Sequence, residues 1–245
     1  MTNGKTALVT GSSRGIGRAI ARRLARDGYR IVIHCAQNLE KADTLRAAIE
    51  AEGGQAEVLQ ADLSDLAQTQ ALCRRLPPVD VLVLNASMQV RRPWLEIPPE
   101  ECLRQLDCNF VSSLLLIQAV VPGMKAKGWG RIVAIGSVQE AKPHPEMLVY
   151  SASKAAQSNM VHSLALQLAP EGITVNNVAP GVINTDRNAE ALSDPVYAQK
   201  VTATIPAGFY GQPSDLAGIV SLLCSEEGRY ITGQSIYVDG GKSIQ

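Results

Sequence analysis

Residues 150–154 read Tyr-Ser-Ala-Ser-Lys, a phenol and an ammonium four positions apart with only small side chains between them. On a helix, positions i and i+4 lie one above the other on the same face, so Tyr150 and Lys154 point the same way. A phenol titrates near ~10 and is a poor base at neutral pH, whereas a cation beside it favours the phenolate and brings the group toward acid–base work. An exposed and chemically idle helix pair is the alternative. The rest of the chain has to separate the two.

A second set of residues speaks to an anionic ligand. The first apolar run, Thr-Ala-Leu-Val-Thr, leads into Gly-Ser-Ser-Arg-Gly-Ile-Gly, with Gly11, Gly15 and Gly17 at the turn, Ser13, Arg14 and Ile16 among them, and a helical pattern opening at once. Glycines there let the backbone turn tightly and approach a pyrophosphate, whose charge is met by free amide donors and the positive end of the helix dipole. A glycine-rich helix start without a ligand is the competing reading, and the position on the first strand-to-helix turn weighs against it. An NAD-type site places an acid just past the second strand, roughly 20 residues beyond the glycine loop. Here Cys35 falls at that point, and no carboxylate follows until Glu40. A 2′-phosphate can therefore enter without like-charge repulsion, with Arg14 to bind it and Ser13, His34 and Asn38 as hydrogen-bond partners. NADP(H) in preference to NAD(H) is the expectation; acceptance of either is the alternative.

Those residues need a frame. Short β-branched runs alternate with longer amphipathic stretches along the whole chain, which predicts an α/β fold with a doubly wound parallel sheet of about seven strands and helices on both faces. In such a sheet ligands bind at the carboxyl ends of the strands, where every motif above lies. With 46% hydrophobic residues the chain can bury a large core, and no linker or repeat divides residues 1–245, so one domain is expected. Lys plus Arg and Asp plus Glu both number 23, which removes any global attraction to nucleic acid or an anionic membrane. The apolar runs read as too short to span a bilayer. Five cysteines without a CxxC pair argue against a disulfide framework and a zinc site, and fit a reducing cytoplasm. His34, His144 and His162 lack ligand spacing, so no metal is implied.

Taken together, the glycine loop, the Tyr-x-x-x-Lys pair and Ser137 thirteen residues before the tyrosine resemble the short-chain dehydrogenase/reductase family over essentially the whole chain. Ala61-Asp62, Asn85-Ala86, Asn109, the run Pro180–Thr185 and the C-terminal Ile-Thr-Gly-Gln-Ser-Ile-Tyr-Val-Asp-Gly-Gly agree with it. The resemblance implies a single-domain Rossmann fold and hydride exchange between a nicotinamide cofactor and a small carbonyl or alcohol substrate. Tyr150 would then be the acid/base, and Lys154 would also bond the nicotinamide ribose. Ser137 would hold the substrate oxygen, and Asn109 a water that links Lys154 to solvent. Asp62 and Leu63 would meet the adenine, Asn85 and Ala86 the adenine ribose, and Pro180, Gly181, Ile183 and Thr185 the nicotinamide end.

The family usually has Asn-Asn-Ala-Gly after the fourth strand; this chain has Leu84-Asn85-Ala86-Ser87, which puts the fine geometry there in question but leaves the proton chemistry alone. Loops after the later strands supply candidate substrate residues: Gln89, Arg91, Arg92 and Trp94, then Gln139, Glu140 and His144, with a lid around 184–210. Polar groups there suit sugar hydroxyls; the arginines suit a carboxylate, a phosphate or an acidic carrier protein. The expected activity is closest to 3-oxoacyl-carrier-protein reductases, with a sugar or polyol dehydrogenase of the gluconate 5-dehydrogenase kind as the alternative and a catalytically silent dinucleotide sensor behind both. Apolar residues on more than one face of the helix from about 101 to 127 predict association, a homotetramer by the same resemblance.

Overall fold

The structure is a computed structural model that describes residues 4–245, with the side chains at 190–192 of the expected lid outside the described residues. Seven parallel strands form one sheet in the order β3-β2-β1-β4-β5-β6-β7. They are β1 (Thr6–Val9), β2 (Arg30–Cys35), β3 (Ala56–Gln60), β4 (Val81–Leu84), β5 (Gly130–Ile135), β6 (Ile173–Pro180) and β7 (Ser235–Val238). The helices between them are α1 (Gly15–Arg26), α2 (Leu39–Ala51), α3 (Leu66–Arg75), α4 (Pro99–Leu106), α5 (Ser112–Lys127), α6 (Leu148–Leu168), α7 (Asp186–Ser193), α8 (Pro195–Ala203) and α9 (Pro213–Cys224).

Alternation along each strand builds two cores. Ala7 and Val9, Ile31 and Ile33, and Val81 and Val83 face one side with Ile20, Leu24, Leu45, Leu216 and Val220 from α1, α2 and α9. Leu8, Val32, Leu82, Ile132 and Val175 face the other, with Leu72, Leu116, Val120 and Val161 from α3, α5 and α6. A strand buried on both faces needs apolar side chains at odd and even positions alike, which is why these segments read as continuous apolar runs. Strand order reverses between β1 and β4, and the crevice outside their carboxyl ends is where such sheets take ligands.

The helical run from Pro99 to Lys127 corrects one expectation: its length and composition are those of a membrane-crossing helix. It is nonetheless built into the fold, since α5 lies against α3 and the turn before it against α6, and Gln105, Asn109, Ser112 and Ser113 are buried along it. Residues 107–111 form a π-turn within this run. Such a turn breaks the regular ladder, and Asn109 sits at its centre with its carbonyl accepting from the side chains of Ser113 and Gln157.

Candidate active site

One elongated cavity of about 940 Å³ runs along the carboxyl ends of the strands. At one end the chain leaves β1 through Gly11 at φ +62° and Gly15 at φ +56°, left-handed conformations that favour glycine. Thr10 fixes this turn: its hydroxyl accepts the Asn85 and Ala86 amides at 2.9 and 3.0 Å. The Asn85 side chain in turn donates to the carbonyls of Thr10 and Gly11, so Asn85 shapes the loop. Gly17 lies behind the cavity, where a Cβ would stand 2.5 Å from Asn85 Nδ2. Gly11, Ser13, Arg14, Gly15 and Ile16 line the cavity, as do Asn38, Asp62, Leu63, Asn85 and Ala86. Pro180, Gly181, Ile183 and Thr185 line it from beyond β6. Glycine-held amides, an exposed arginine and no acid beside Cys35 fit a dinucleotide phosphate chain.

His34 requires a correction. It touches the cavity, but its ring is committed: Nδ1 accepts the Gly11 amide at 3.0 Å and Nε2 faces the Ala61 carbonyl at 3.0 Å. Burial pushes its pKa down to about 4, so it stays neutral and props the glycine loop, with no donor left for a phosphate.

At the other end, α6 places Tyr150 and Lys154 under the cavity floor, 6% and 1% exposed. Ser137, just past β5, lines the cavity together with Tyr150. Burial raises the phenol above its ordinary pKa, and the charge of Arg187 and then the Ser137 hydroxyl act against that rise. The lysine's ammonium has partners that the sequence did not show. Its Nζ lies 5.9 Å from the centroid of the Tyr150 ring and donates to the Ile135 carbonyl at 2.7 Å and to Gln157 Oε1 at 3.0 Å. Burial, then the Arg187 charge, lowers Lys154 to about 8.

Asn109 is held from several sides. Its side chain clamps the loop after β4, accepting from the Met88 amide at 2.7 Å and donating to the Met88 carbonyl and to Ser153, both at 2.9 Å. Its carbonyl meets the Gln157 amide, at 3.2 Å, whose oxygen meets Lys154. Gln157 thus bridges the Asn109 carbonyl and the Lys154 ammonium.

The predicted substrate residues divide. Gln139, Arg91 and His144 line the cavity, and Gln139 spends its oxygen on the Ser151 hydroxyl at 3.0 Å. Glu140 does not line it: its carboxylate accepts from Asn177 at 2.8 and 3.0 Å, below the site. Trp94 is 65% exposed and off the cavity. Arg92 is held by Glu101 through bonds of 2.8 to 3.2 Å. Sequence reasoning missed Gln157 and Arg187. The first carried a usable signal, three positions after Lys154 on the same helix face; the second, on α7, carried none that showed its fold-back over Ser87.

The model of the short chain dehydrogenase family matches residues 5–195. The chain belongs to the short-chain dehydrogenase family. Among members of that family, L-rhamnose 1-dehydrogenase (NAD(P)(+)) of Azotobacter vinelandii is 39% identical, covering 97% of this chain and 96% of that protein. The 3-oxoacyl-acyl-carrier-protein reductase FabG of Staphylococcus aureus is 38% identical, covering 97% of each. A solved 3-oxoacyl-acyl-carrier-protein reductase of Agrobacterium tumefaciens C58 with NADP bound superposes with a TM-score of 0.93 at 37% identity, over 97% of this chain and 93% of that one. This chain brings Ser137, Tyr150 and Lys154 together at one end of the cavity and the glycine turn at the other.

Proposed function

We propose that this short-chain dehydrogenase interconverts a ketone and a secondary alcohol with NADP(H). The observation that carries the reading is the buried Tyr150, which with Ser137 lines the same cavity as the glycine loop. NADPH, when bound, supplies the hydride. The α1 N-terminus with Gly11 and Gly15 would hold its pyrophosphate, Arg14, Ser13 and Asn38 its 2′-phosphate, and Ile183 and Thr185 its nicotinamide end. Ser137 would hydrogen-bond the carbonyl oxygen, and Tyr150 Oη would donate its proton to that oxygen as the carbon is reduced. The phenolate left behind is favoured by the Arg187 charge and the Ser137 hydroxyl. In the reverse direction the same phenolate takes the alcohol proton.

Two substrate readings stand. Exposed cations at the cavity mouth, Arg91, Lys142 and Lys200, suit the acidic carrier of a 3-oxoacyl thioester. A sugar-type or polyol substrate is favoured by the polar lining, and one NAD(P)-using relative acts on L-rhamnose by its name. A homotetramer is supported by exposed Leu103 on α4 and exposed Leu148 and Leu166 on α6. Five free thiols suit a reducing compartment such as the cytoplasm. The test is NADPH consumption with ketoacids, ketosugars and 3-oxoacyl thioesters, and the same assay with NADH. Turnover of none would leave the silent dinucleotide-sensor reading standing.

A further inference from the structure

The cavity wall on the Tyr150 side is cationic in a chain whose formal charges cancel. Arg91, Arg104, Lys142, Arg187, Lys200 and Lys242 line it. Among the described residues lining the cavity the acids are Asp62, at the β3 end, and Asp186, which pairs with Lys41 on α2 at 3.1 Å. Among the described residues, none of the six cations meets an acidic side chain. Arg91 donates to the Tyr197 hydroxyl at 3.3 Å, Lys142 to a terminal carboxylate oxygen of Gln245 at 2.9 Å, and Arg187 to Ser87. The charge of these cations reaches their neighbours. After burial, Arg187 lowers Lys154, Arg91 lowers His144 and Lys142 lowers Lys242. A wall of one sign focuses its field into the cleft and selects a ligand of the other sign.

Arg187 is the cation closest to the chemistry. Its Nη1 donates to Ser87 Oγ at 3.1 Å, and its Nη2 to Ser87 O at 2.8 Å and Oγ at 3.1 Å. From that seat it lines the cavity together with Tyr150, and its charge acts on the phenol. Ser87 stands where the family resemblance expects glycine, so the departure has a structural use: its hydroxyl is the peg that a glycine lacks. We propose that the substrate carries an anionic group, in its simplest form a carboxylate, within a few bonds of its carbonyl, and that Arg187 seated on Ser87 binds it. This rests on the reading that Tyr150 protonates a ketone. A thioester offers no anion at that place, and an acidic carrier protein would meet the mouth of the cavity and leave Arg187 unused. The substrate is therefore a keto acid or its hydroxy acid, a sugar acid included.

The test compares matched probes that differ in charge. NADPH-dependent kcat/KM is measured for acetoacetate and methyl acetoacetate on the wild type, Arg187→Ala, Arg187→Lys and Ser87→Gly. Calorimetry of the NADP-saturated protein with gluconate and with glucitol reads charge selection without turnover. The wild type should favour the acid, and the acid-to-ester ratio should fall roughly 10- to 100-fold in Arg187→Ala, the scale of a lost hydrogen bond to a charged group. Arg187→Lys should keep part of the preference, and Ser87→Gly should lose part of it. An unchanged ratio in Arg187→Ala overturns the proposal. So does a loss confined to NADPH affinity, which would assign Arg187 to the cofactor's phosphates, or unimpaired turnover of a carrier-bound 3-oxoacyl thioester by Arg187→Ala. If neither ketone is reduced but gluconate still binds better than glucitol, the ketone reading fails and charge selection survives. No discrimination by charge in either arm overturns it.

Discussion

Replacing Gln157 with leucine tests whether the buried lysine is held charged from below. Lys154 is 1% exposed, and its ammonium donates to Ile135 O at 2.7 Å and Gln157 Oε1 at 3.0 Å. The amide cannot face the other way, because its Nε2 donates to Asn109 O at 3.2 Å and Ser113 Oγ at 3.0 Å, and a flip would set carbonyl against carbonyl and NH₂ against ammonium. Leucine deletes that acceptor, and Asn109 O keeps a partner in the Ser113 hydroxyl at 3.1 Å. A hydrogen bond to a charged group contributes about 1.5–3 kcal/mol and a pKa unit is about 1.4 kcal/mol, so Lys154 should lose its proton about one to two pH units earlier. Its pKa already stands lowered, at about 8, and the groups facing it are Tyr150, Cys108, Glu140 and Arg187. The sign follows from the working form being protonated: it is present below this pKa and lost as pH rises through it. The alkaline limb of kcat/KM for ketone reduction should therefore move to lower pH in Gln157→Leu and to higher pH in Gln157→Glu. The assay is the pH profile of NADPH-dependent turnover, with thermal melting on the same preparations. A limb that stays put in both variants while only Tm falls would refute the reasoning.

Three further outcomes follow from particular residues. Cys35→Asp with Arg14→Ala should shift the kcat/KM ratio from NADP(H) toward NAD(H), because the acid restores a ribose partner and the arginine no longer meets a 2′-phosphate; unchanged selectivity would contradict the account of that loop. His34 has a folded pKa of about 4 against an ordinary 6.5, so the unfolded chain takes up a proton there that the native chain refuses. Stability should fall as pH drops through that window, by up to about 3 kcal/mol from this group, and His34→Gln should flatten the dependence of the urea midpoint on pH. Light scattering at micromolar concentration should give several times the 26.1 kDa chain mass, and Leu166→Glu on α6 should lower it; a monomer would count against the homotetramer.

The seven strands were legible because each is buried on both faces and so appears as an apolar run bounded by turns. Tyr150 and Lys154 were legible as a helical pair, since i and i+4 spacing fixes a shared face whatever surrounds it. What the spacing could not show is where the ammonium ends up, because Gln157 and the Ile135 carbonyl become its neighbours only after α6 packs on β5. Glu140 and His34 failed for a similar reason. A polar residue near a strand end can turn into the cavity or beneath it, and Asn177 and the Gly11 amide decided those two. Ser87 was visible only as a departure; its use appeared once α7 brought Arg187 back over it.

The central claim is that Tyr150 passes the proton between this protein and its substrate. Its most direct test is single-turnover NADPH oxidation by wild type and Tyr150→Phe, with NADPH affinity measured on the same samples. The variant should fold and bind NADPH but oxidise it roughly 10²-fold or more slowly in the presence of a ketone substrate. Oxidation at the wild-type rate by Tyr150→Phe would contradict it.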